Sequence, residues 1–377
     1  MDRNGMPAKF KDLMQQVSSL TRVGRLQEAT LAIQRALGDS APTAFPANAA
    51  GPRARDDRVI DVDAAEIPAA PGVQEASPSS TEPSGTEAGQ FLAGSFQHGG
   101  RSVQYKLFVP SGMPAAPRPL VLMLHGCTQD PDDFAAGTQM NRLAQEHGFL
   151  VLYPAQSQDA NPQRCWNWFK SSHQQRGRGE PALLAALTRE ITKTHRTDAD
   201  RVFVAGLSAG GAMAAVLAQT YPDVFAAAGV HSGLAPGTAR DAMGALQAMH
   251  SGKGPDGGSR IDATTPAPTI VFHGDRDGTV HSDHGNHVVS AALSGRKPRT
   301  TEERGTSPHG VAYTRRTHRD EDGRTVAEQW IVHGAGHAWS GGSADGSFTE
   351  PRGPDASREM LRFFLAHGHR SSDPAPR

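Results

Sequence analysis

Short apolar runs recur along the chain after residue 90, and they alternate with longer stretches in which apolar residues fall at helical spacing. Runs of this kind, without a polar face, are typical of a parallel sheet that helices cover on both sides. The pattern therefore predicts a three-layer α/β fold with a mostly parallel sheet. The predicted strands are Val103–Val109, Leu120–Leu124, Phe149–Tyr153, Val202–Ala205, Phe225–Val230, Thr269–Phe272 and Val326–Val332. The predicted helices are Met140–His147, Pro181–His195, Ala209–Thr220, His284–Leu293 and Ser357–Ala366.

The first 90 residues follow a different pattern. Apolar residues at helical spacing within 1–37 predict two short amphipathic helices, interrupted near Gly24. Their apolar stripes need a partner, so we expect them to pack on the main domain, to mediate self-association or to bind a surface. Residues 38–90 are rich in Ala, Pro, Ser, Asp and Glu, which predicts a disordered linker. The main domain is expected at 91–368, followed by a disordered tail at 369–377.

Charge and composition narrow the classes of function. The formal net charge is -1, so no overall field attracts nucleic acid or an anionic membrane. No segment approaches the roughly 20 consecutive apolar residues that a membrane span needs. The N-terminus lacks a basic region leading into an apolar run, which predicts an unexported, cytoplasmic protein. The two cysteines allow one disulfide, which would fit an oxidising compartment better.

A Gly-rich motif, Gly206-Leu-Ser-Ala-Gly-Gly211, lies between the predicted strand at 202–205 and the predicted helix at 209–220. This is the setting of a nucleophile elbow, in which a sharp strand-to-helix turn exposes a strained serine and flanking glycines avoid Cβ clashes. The helix N-terminus also favours negative charge that develops on the hydroxyl. The motif therefore predicts Ser208 as a catalytic nucleophile, in preference to a plain Gly-rich turn.

An oxyanion hole requires two main-chain N–H groups. One is expected from Ala209, the residue after the nucleophile, and the other from the loop His125-Gly-Cys-Thr-Gln129 that follows an earlier strand. Within this loop Cys127 is the expected donor. A disulfide with Cys165 would hold the loop rigid, and the alternative is a buried Cys127 thiol used in packing.

The base and the acid are expected in two later loops. His337 follows the last predicted strand and is favoured as general base over His333, which lies at the strand end. The turn after the strand at 269–272 offers Asp275 and Asp277. Asp277 is preferred because it comes after the turn has left the sheet, and Asp275, as a turn-capping residue, is the alternative. The chain order serine, acid, histidine is that of an α/β-hydrolase fold.

Several motifs occur in a fixed order between residues 91 and 368. They are His125-Gly-Cys-Thr-Gln129, Cys165-Trp-Asn-Trp-Phe169, Arg176-Gly-Arg-Gly-Glu180, Gly206-Leu-Ser-Ala-Gly-Gly211, His273-Gly-Asp-Arg-Asp277 and Gly336-His-Ala-Trp339. Together they resemble the poly(3-hydroxybutyrate) depolymerase family of esterases, which also includes feruloyl and acetylxylan esterases. The resemblance implies a triad of Ser208, Asp277 and His337, an ester substrate with a hydroxyacyl or aryl-acyl group, and a Cys127–Cys165 bridge. Members of that family are often extracellular.

Two further groups of residues are candidates for binding. Trp166 and Trp339 lie beside motif residues and are candidates for lining a substrate pocket, although core packing is the default for a tryptophan. The spacing of His281, His284 and His287 suggests a metal site, but a solvated helix start is favoured because the stretch is polar. We expect no metal or organic cofactor, because an acyl-enzyme route needs none.

The sequence thus predicts a serine carboxylester hydrolase that acts on poly- or oligo(3-hydroxyalkanoate) or related hydroxyacyl esters. Feruloyl or acetyl esters from plant material are the alternative substrates. A second hypothesis is a polyester-granule-binding protein with an inactive hydrolase domain, against which the complete triad argues. A third is an acyltransferase, since an alcohol could resolve the same acyl-enzyme.

Overall fold

The computed structural model describes residues 89–112, 116–255 and 265–369. The helices predicted at 1–37, nearly all of the linker predicted at 38–90 and the tail after residue 369 lie outside these ranges. Within them, no helix has the length and apolarity needed to cross a bilayer.

The described chain folds into strands and helices that alternate along most of its length. The strands are β1 Gln90–His98, β2 Arg101–Val109, β3 Leu120–Leu124, β4 Leu150–Ala155, β5 Val202–Leu207, β6 Ala227–His231, β7 Thr269–Gly274, β8 Arg299–Thr306, β9 Ala312–Arg319, β10 Thr325–Val332, β11 Trp339–Ser340 and β12 Thr349–Glu350. The helices are α1 Pro131–Thr138, α2 Met140–His147, α3 Gly179–Thr194, α4 Ala209–Thr220, α5 Ala242–Ser251, α6 Asp283–Leu293 and α7 Ala356–Leu365, with a 3-10 turn at Ser171–Gln174.

One ten-stranded sheet, in the order β1-β2-β4-β3-β5-β6-β7-β10-β9-β8, forms the centre of the fold. The six strands from β4 to β10 in this order are parallel to one another. Their side chains are buried on both faces, as in β3, where every residue of Leu120–Leu124 is buried. These are the continuous apolar runs of the sequence, and the prediction of a mostly parallel sheet between helices is confirmed.

Alternate residues of the central strands enter two separate cores. Leu122 and Val204 pack in the core that contains residues of α3, α4 and α6. Val121 and Phe203 pack in the core that contains residues of α2 and α7. Phe203 stacks on Phe364 of α7 with ring centroids 5.0 Å apart. The sheet is therefore the middle of three layers.

The sequence pattern predicts β2 but misses β1, β8 and β9, which lie at the antiparallel margins of the sheet. Strand β1 pairs with β2 at one margin, and β8 pairs with β9 at the other. Strand β8, Arg-Thr-Thr-Glu-Glu-Arg-Gly-Thr, is exposed at all but one position, so it carries no apolar period. A charged edge strand of this kind resists pairing with other chains.

Two helices are also missing from the sequence prediction. Helix α1 begins after Asp130, whose side chain accepts hydrogen bonds from the N–H groups of Asp132 and Asp133, and it has a proline in its first turn. These are recognisable start signals that the apolar pattern alone does not use. Helix α5 begins after Asp241, whose side chain accepts from Gly244 N–H.

Candidate active site

Ser208 occupies a sharp turn between β5 and α4. Its backbone has φ 56° and ψ −118°, a conformation that L-residues rarely adopt. A Cβ on Gly206 would lie 2.4 Å from the carbonyl carbon of Gly210, and a Cβ on Gly210 would lie 2.0 Å from Leu124 O. Both positions therefore require glycine, which gives the GxSxG pattern a steric explanation and brings the turn against the end of β3.

The turn at Ser208 adjoins two other strand ends. Its main-chain N–H donates to His231 O, at the end of β6, at 2.9 Å. A Cβ built on Gly126, just after β3, would lie 3.7 Å from Ser208 Cβ. The loop predicted to supply an oxyanion donor is therefore in contact with the serine.

His337 and Asp277 meet across the loops that follow β10 and β7. The distance from His337 Nδ1 to Asp277 Oδ2 is 2.7 Å, and the Asp277 side chain is fully buried. Asp277 Oδ1 accepts from Thr279 N at 2.9 Å and from Val280 N at 2.8 Å. His273 Nε2 lies 3.4 Å from Asp277 Oδ2 and donates to Val280 O at 2.9 Å.

These contacts fix the charge of Asp277. Burial by itself would raise the pKa of the carboxyl group. The neighbouring imidazoles of His273 and His337 and the N–H of Val280 oppose burial and hold the pKa well below its usual range. An ionised Asp277 retains the proton on His337 Nδ1 and leaves Nε2 able to accept another.

The two alternative residues from the same loops bind each other instead. His333 Nδ1 lies 2.8 Å from Asp275 Oδ2, and Gly334 N donates to Asp275 Oδ1 at 2.7 Å. Burial opposes the effect of these bonds, but they hold the pKa of Asp275 below its usual range. The structure thus separates an inner, buried pair, Asp277–His337, from an outer, more exposed pair, Asp275–His333.

The Cys127–Cys165 disulfide is present, so the prediction of a bridge is confirmed and the free-thiol alternative is wrong. The adjacent Thr128 N donates to Gln163 O at 2.7 Å, which adds a main-chain link between the same two segments. Ala209 is the first residue of α4, where N–H groups have no acceptor within the helix. The disulfide restrains the segment that contains Cys127, and Ala209 lies at a helix start, as expected for the two main-chain donors.

A buried carboxylate holds the segment that carries Cys165. Glu180 Oε1 accepts from Gln156 Nε2 at 2.7 Å and from Asn167 Nδ2 at 2.6 Å, while Oε2 accepts from Asn167 N at 2.7 Å. His173 Nδ1 lies 3.4 Å from Oε2. Burial by itself would raise the pKa of Glu180, but these donors hold it below its usual range. The Arg176-to-Glu180 motif therefore contributes an internal anchor.

His231 is a site residue that sequence reasoning missed. Its ring stacks against Phe272 and Trp339, with centroids 5.8 and 5.1 Å apart, and its Nε2 accepts from Ser340 N at 3.0 Å. Burial, with smaller contributions from nearby histidines such as His337, lowers the pKa of His231 to about 3. The ring is therefore neutral, and no spacing in the sequence distinguishes it from other strand residues.

His125, the first residue of the motif His125-Gly-Cys-Thr-Gln129, has a structural role. The residue is 1% exposed, its Nδ1 donates to Gly126 O at 2.7 Å and its Nε2 accepts from Gln156 N at 3.1 Å. Burial lowers the pKa of His125 to about 4. A neutral His125 thus ties the loop 125–129, which is expected to supply an oxyanion donor, to the end of β4.

Trp166 and Trp339 are both buried, which favours core packing, their default interpretation, over the lining of a substrate pocket. Each is only 1% exposed and belongs to the core. Trp339 Nε1 donates to Ser357 Oγ at 3.0 Å, and Trp166 lies against His125 with centroids 5.6 Å apart. Both side chains pack in the core beneath the site.

The solvated-helix interpretation of the three spaced histidines is wrong for His284, which is buried. His284 Nε2 donates to Ala248 O at 2.8 Å, and His287 Nε2 donates to Gly252 O at 3.0 Å. Both side chains satisfy carbonyl groups at the end of α5. Among residues 89–112, 116–255 and 265–369, no group of His, Cys, Asp or Glu side chains has the arrangement of a metal site.

Comparison with known proteins places these features in context. The family described as Esterase PHB depolymerase matches residues 103–298. Poly(3-hydroxyalkanoate) depolymerase C of Paucimonas lemoignei is 34% identical over 242 residues, which cover 61% of this chain and 56% of that protein. Feruloyl esterase B of Thermothelomyces thermophilus is 33% identical over 145 residues, 38% of this chain and 48% of that protein. The chain thus spans about half the length of the curated relatives it matches.

A solved structure supports the fold assignment. The acetyl xylan esterase from Aspergillus awamori superposes with a TM-score of 0.55 at 20% identity, covering 70% of this chain and 94% of that one. At this identity the likeness concerns the fold alone. The α/β-hydrolase fold predicted from the order of the motifs is confirmed.

Proposed function

The chain belongs to the Esterase PHB depolymerase family, and we propose that it is a serine carboxylester hydrolase with Ser208 as nucleophile, His337 as general base and Asp277 as the orienting acid. The observation that carries this proposal is the 2.7 Å bond between His337 Nδ1 and the fully buried Asp277 carboxylate. An imidazole held in this tautomer presents a basic Nε2. The strained turn at Ser208 supports the assignment of the nucleophile.

The proposed reaction gives each of these residues one role. His337 Nε2 takes the proton of Ser208 as Oγ attacks the ester carbonyl, and the N–H groups of Cys127 and Ala209 stabilise the oxyanion. The tetrahedral intermediate expels the alkoxide, which receives the proton from His337, and an acyl-Ser208 remains. Water activated by His337 then attacks the acyl group, so the acid leaves and Ser208 recovers its proton. Asp277 stabilises the imidazolium in both halves.

Esters of 3-hydroxyalkanoic acids are the substrate class that we infer. The match to the depolymerase of Paucimonas lemoignei extends over 242 residues, whereas the match to the feruloyl esterase extends over 145. Feruloyl and acetyl esters are the second candidate substrates. The feruloyl and acetylxylan esterases are as similar to this chain in percentage identity as the depolymerase is, although over a shorter match. We expect kcat/KM to be higher for 3-hydroxybutyrate oligomers than for methyl ferulate or acetylated xylo-oligosaccharides, and the reverse order would overturn this assignment.

The test of the mechanism is Ser208→Ala, assayed on a short p-nitrophenyl ester. We expect turnover to fall about a million-fold, as when the nucleophile of a triad is removed, while the fold remains. Ser290→Ala, on an exposed serine of α6, is the matched control and should leave turnover unchanged. Retention of most activity by Ser208→Ala would remove Ser208 from the mechanism.

A further inference from the structure

Two His–Asp pairs connect the same two loops, which we call the acid loop, residues 275–280, and the histidine loop, residues 333–338. We propose that the outer pair, Asp275–His333, is a positioning pair that aligns His337 on Asp277. This inference rests on the proposed function, since His337 is the base whose alignment matters. Neither member of the outer pair is assigned a chemical step.

Both oxygens of the Asp275 carboxylate bind the histidine loop. Oδ2 accepts from His333 Nδ1 at 2.8 Å, and Oδ1 accepts from Gly334 N at 2.7 Å. The Asp277 carboxylate divides its bonds differently, because its Oδ1 binds N–H groups of its own acid loop. Asp275 is thus the residue of the acid loop that holds the start of the histidine loop.

The backbones of the two loops are joined around the outer pair. Asp275 N donates to Val332 O at 3.1 Å, and Arg276 N donates to Ala335 O at 3.0 Å. A Cβ on Gly274 would lie 2.3 Å from Ala335 O, so the loops touch at this point. A displacement of the outer pair would therefore be transmitted to the backbone that leads into His337.

The ring of His333 is fixed from its other side by the sheet. Nε2 lies 2.9 Å from the hydroxyl oxygen of Thr314, a residue of β9 that is 5% exposed. His333 N also donates to Ala312 O at 2.9 Å. With Nδ1–H directed to Asp275, Nε2 accepts the Thr314 hydroxyl proton, and both ring nitrogens are bonded. The chain of contacts runs from β9 through His333 to the acid loop.

The histidine loop needs such an anchor because of its composition. Gly334 has φ +77°, a conformation that favours glycine, and Gly336 immediately precedes His337. Glycines give a loop more freedom than other residues do. A misplacement of about 1 Å at a catalytic group can cost about 100-fold in rate. A bond that restricts this loop at its base would therefore act on kcat and not on the affinity for substrate.

Two substitutions at position 333 separate the loss of the bond to Asp275 from the loss of the imidazole ring. The asparagine of His333→Asn can place its side-chain N–H group at the position of Nδ1 and so keep the bond to Asp275. Gln in His333→Gln reaches the position of Nε2 instead and loses that bond. We expect His333→Gln to lower kcat about tenfold with KM unchanged, a fraction of what full misplacement costs. His333→Asn should retain most of the wild-type kcat.

The measurement is steady-state hydrolysis of a short p-nitrophenyl ester by the full chain, normalised to active sites counted by burst titration. Normalisation removes any effect of unfolded protein. His309→Gln, at an exposed histidine of the neighbouring turn, is the matched control and should behave as wild type. Should a variant at 333 fail to fold, Thr314→Val, which removes only the hydroxyl contact to the ring, is expected to lower kcat in the same direction.

Equal kcat for the Asn and Gln variants, or a loss confined to KM, would overturn the positioning role while leaving the hydrolase assignment intact. A wild-type kcat for both Thr314→Val and His333→Gln would overturn it as well. Failure of the proposed function itself has a different signature, namely an active Ser208→Ala protein. The two failures are therefore distinguishable in one series of assays.

Discussion

The main-chain N–H of Ser208 donates to the carbonyl oxygen of His231 at 2.9 Å. The ring of the same histidine accepts from Ser340 N at 3.0 Å, three residues beyond His337. One residue at the end of β6 thus binds the serine turn through its backbone and the segment after the histidine loop through its ring. Its side chain is neutral, because burial keeps its pKa near 3.

We expect His231→Phe to destabilise the protein, because the buried N–H of Ser340 would lose its acceptor. A buried donor left without a partner costs about 1–3 kcal/mol. His231→Gln is the matched control, since its side-chain carbonyl can accept in place of Nε2. Urea unfolding at pH 7 measures the difference, and a phenylalanine variant as stable as the glutamine variant would contradict the role of this bond.

We expect the folded protein to lose stability in mild acid, because it contains buried, neutral histidines. The pKa of His125 is lowered to about 4 in the folded chain from an ordinary value of 6.5. Between these pH values the unfolded chain binds a proton that the folded chain does not, so stability falls as pH falls from 6.5 toward 4. For one such histidine the loss between pH 7 and pH 5 is about 2 kcal/mol.

The variant His125→Gln tests this linkage. Its carbonyl can accept from Gln156 N without titrating, so we expect the drop in unfolding free energy between pH 7 and pH 5 to shrink by about 2 kcal/mol. The exposed His309→Gln variant should leave the drop unchanged. An identical drop in wild type and His125→Gln would mean that His125 does not stay neutral in the folded protein.

The inner and outer carboxylates are expected to differ in their effect on catalysis. Asp277→Asn would donate to His337 Nδ1 and favour the wrong tautomer, which in a comparable triad lowers kcat about 10,000-fold. Asp275→Asn still offers an oxygen to Gly334 N and leaves Asp277 in place, so its loss should be far smaller. Comparable losses in kcat for the two variants would contradict the assignment of Asp277 as the orienting acid.

Removing the disulfide should affect both stability and rate. The bridge closes a loop with a sequence separation of 38 residues. A chain-entropy estimate for such a loop is about 4 kcal/mol. The double variant Cys127→Ser, Cys165→Ser should therefore unfold at lower urea and, because Cys127 N–H is a proposed oxyanion donor, also lose kcat. Unchanged kcat in folded double-variant protein would show that the bridge is not needed to hold the donor.

The central strands and the positions of the chemical motifs could be predicted from the sequence. Parallel strands that are buried on both faces must be apolar throughout, so Leu120–Leu124 and the strand that starts at Val202 are recognisable as such. The glycines beside Ser208 have to be present because neighbouring backbone leaves no room for a Cβ. The same pattern does not identify the edge strand β8, because its side chains face solvent.

Which carboxylate meets which histidine was decided by tertiary structure. Strands β7 and β10 pair in parallel with Gly274 opposite Val332, so the acid loop and the histidine loop leave the sheet side by side. That register binds Asp275 to His333 and directs Asp277 inward to His337. The sequence supplies two acids and two histidines and favours Asp277 and His337 among them. Only contacts between residues far apart in the chain form the two pairs and bury the Asp277–His337 pair.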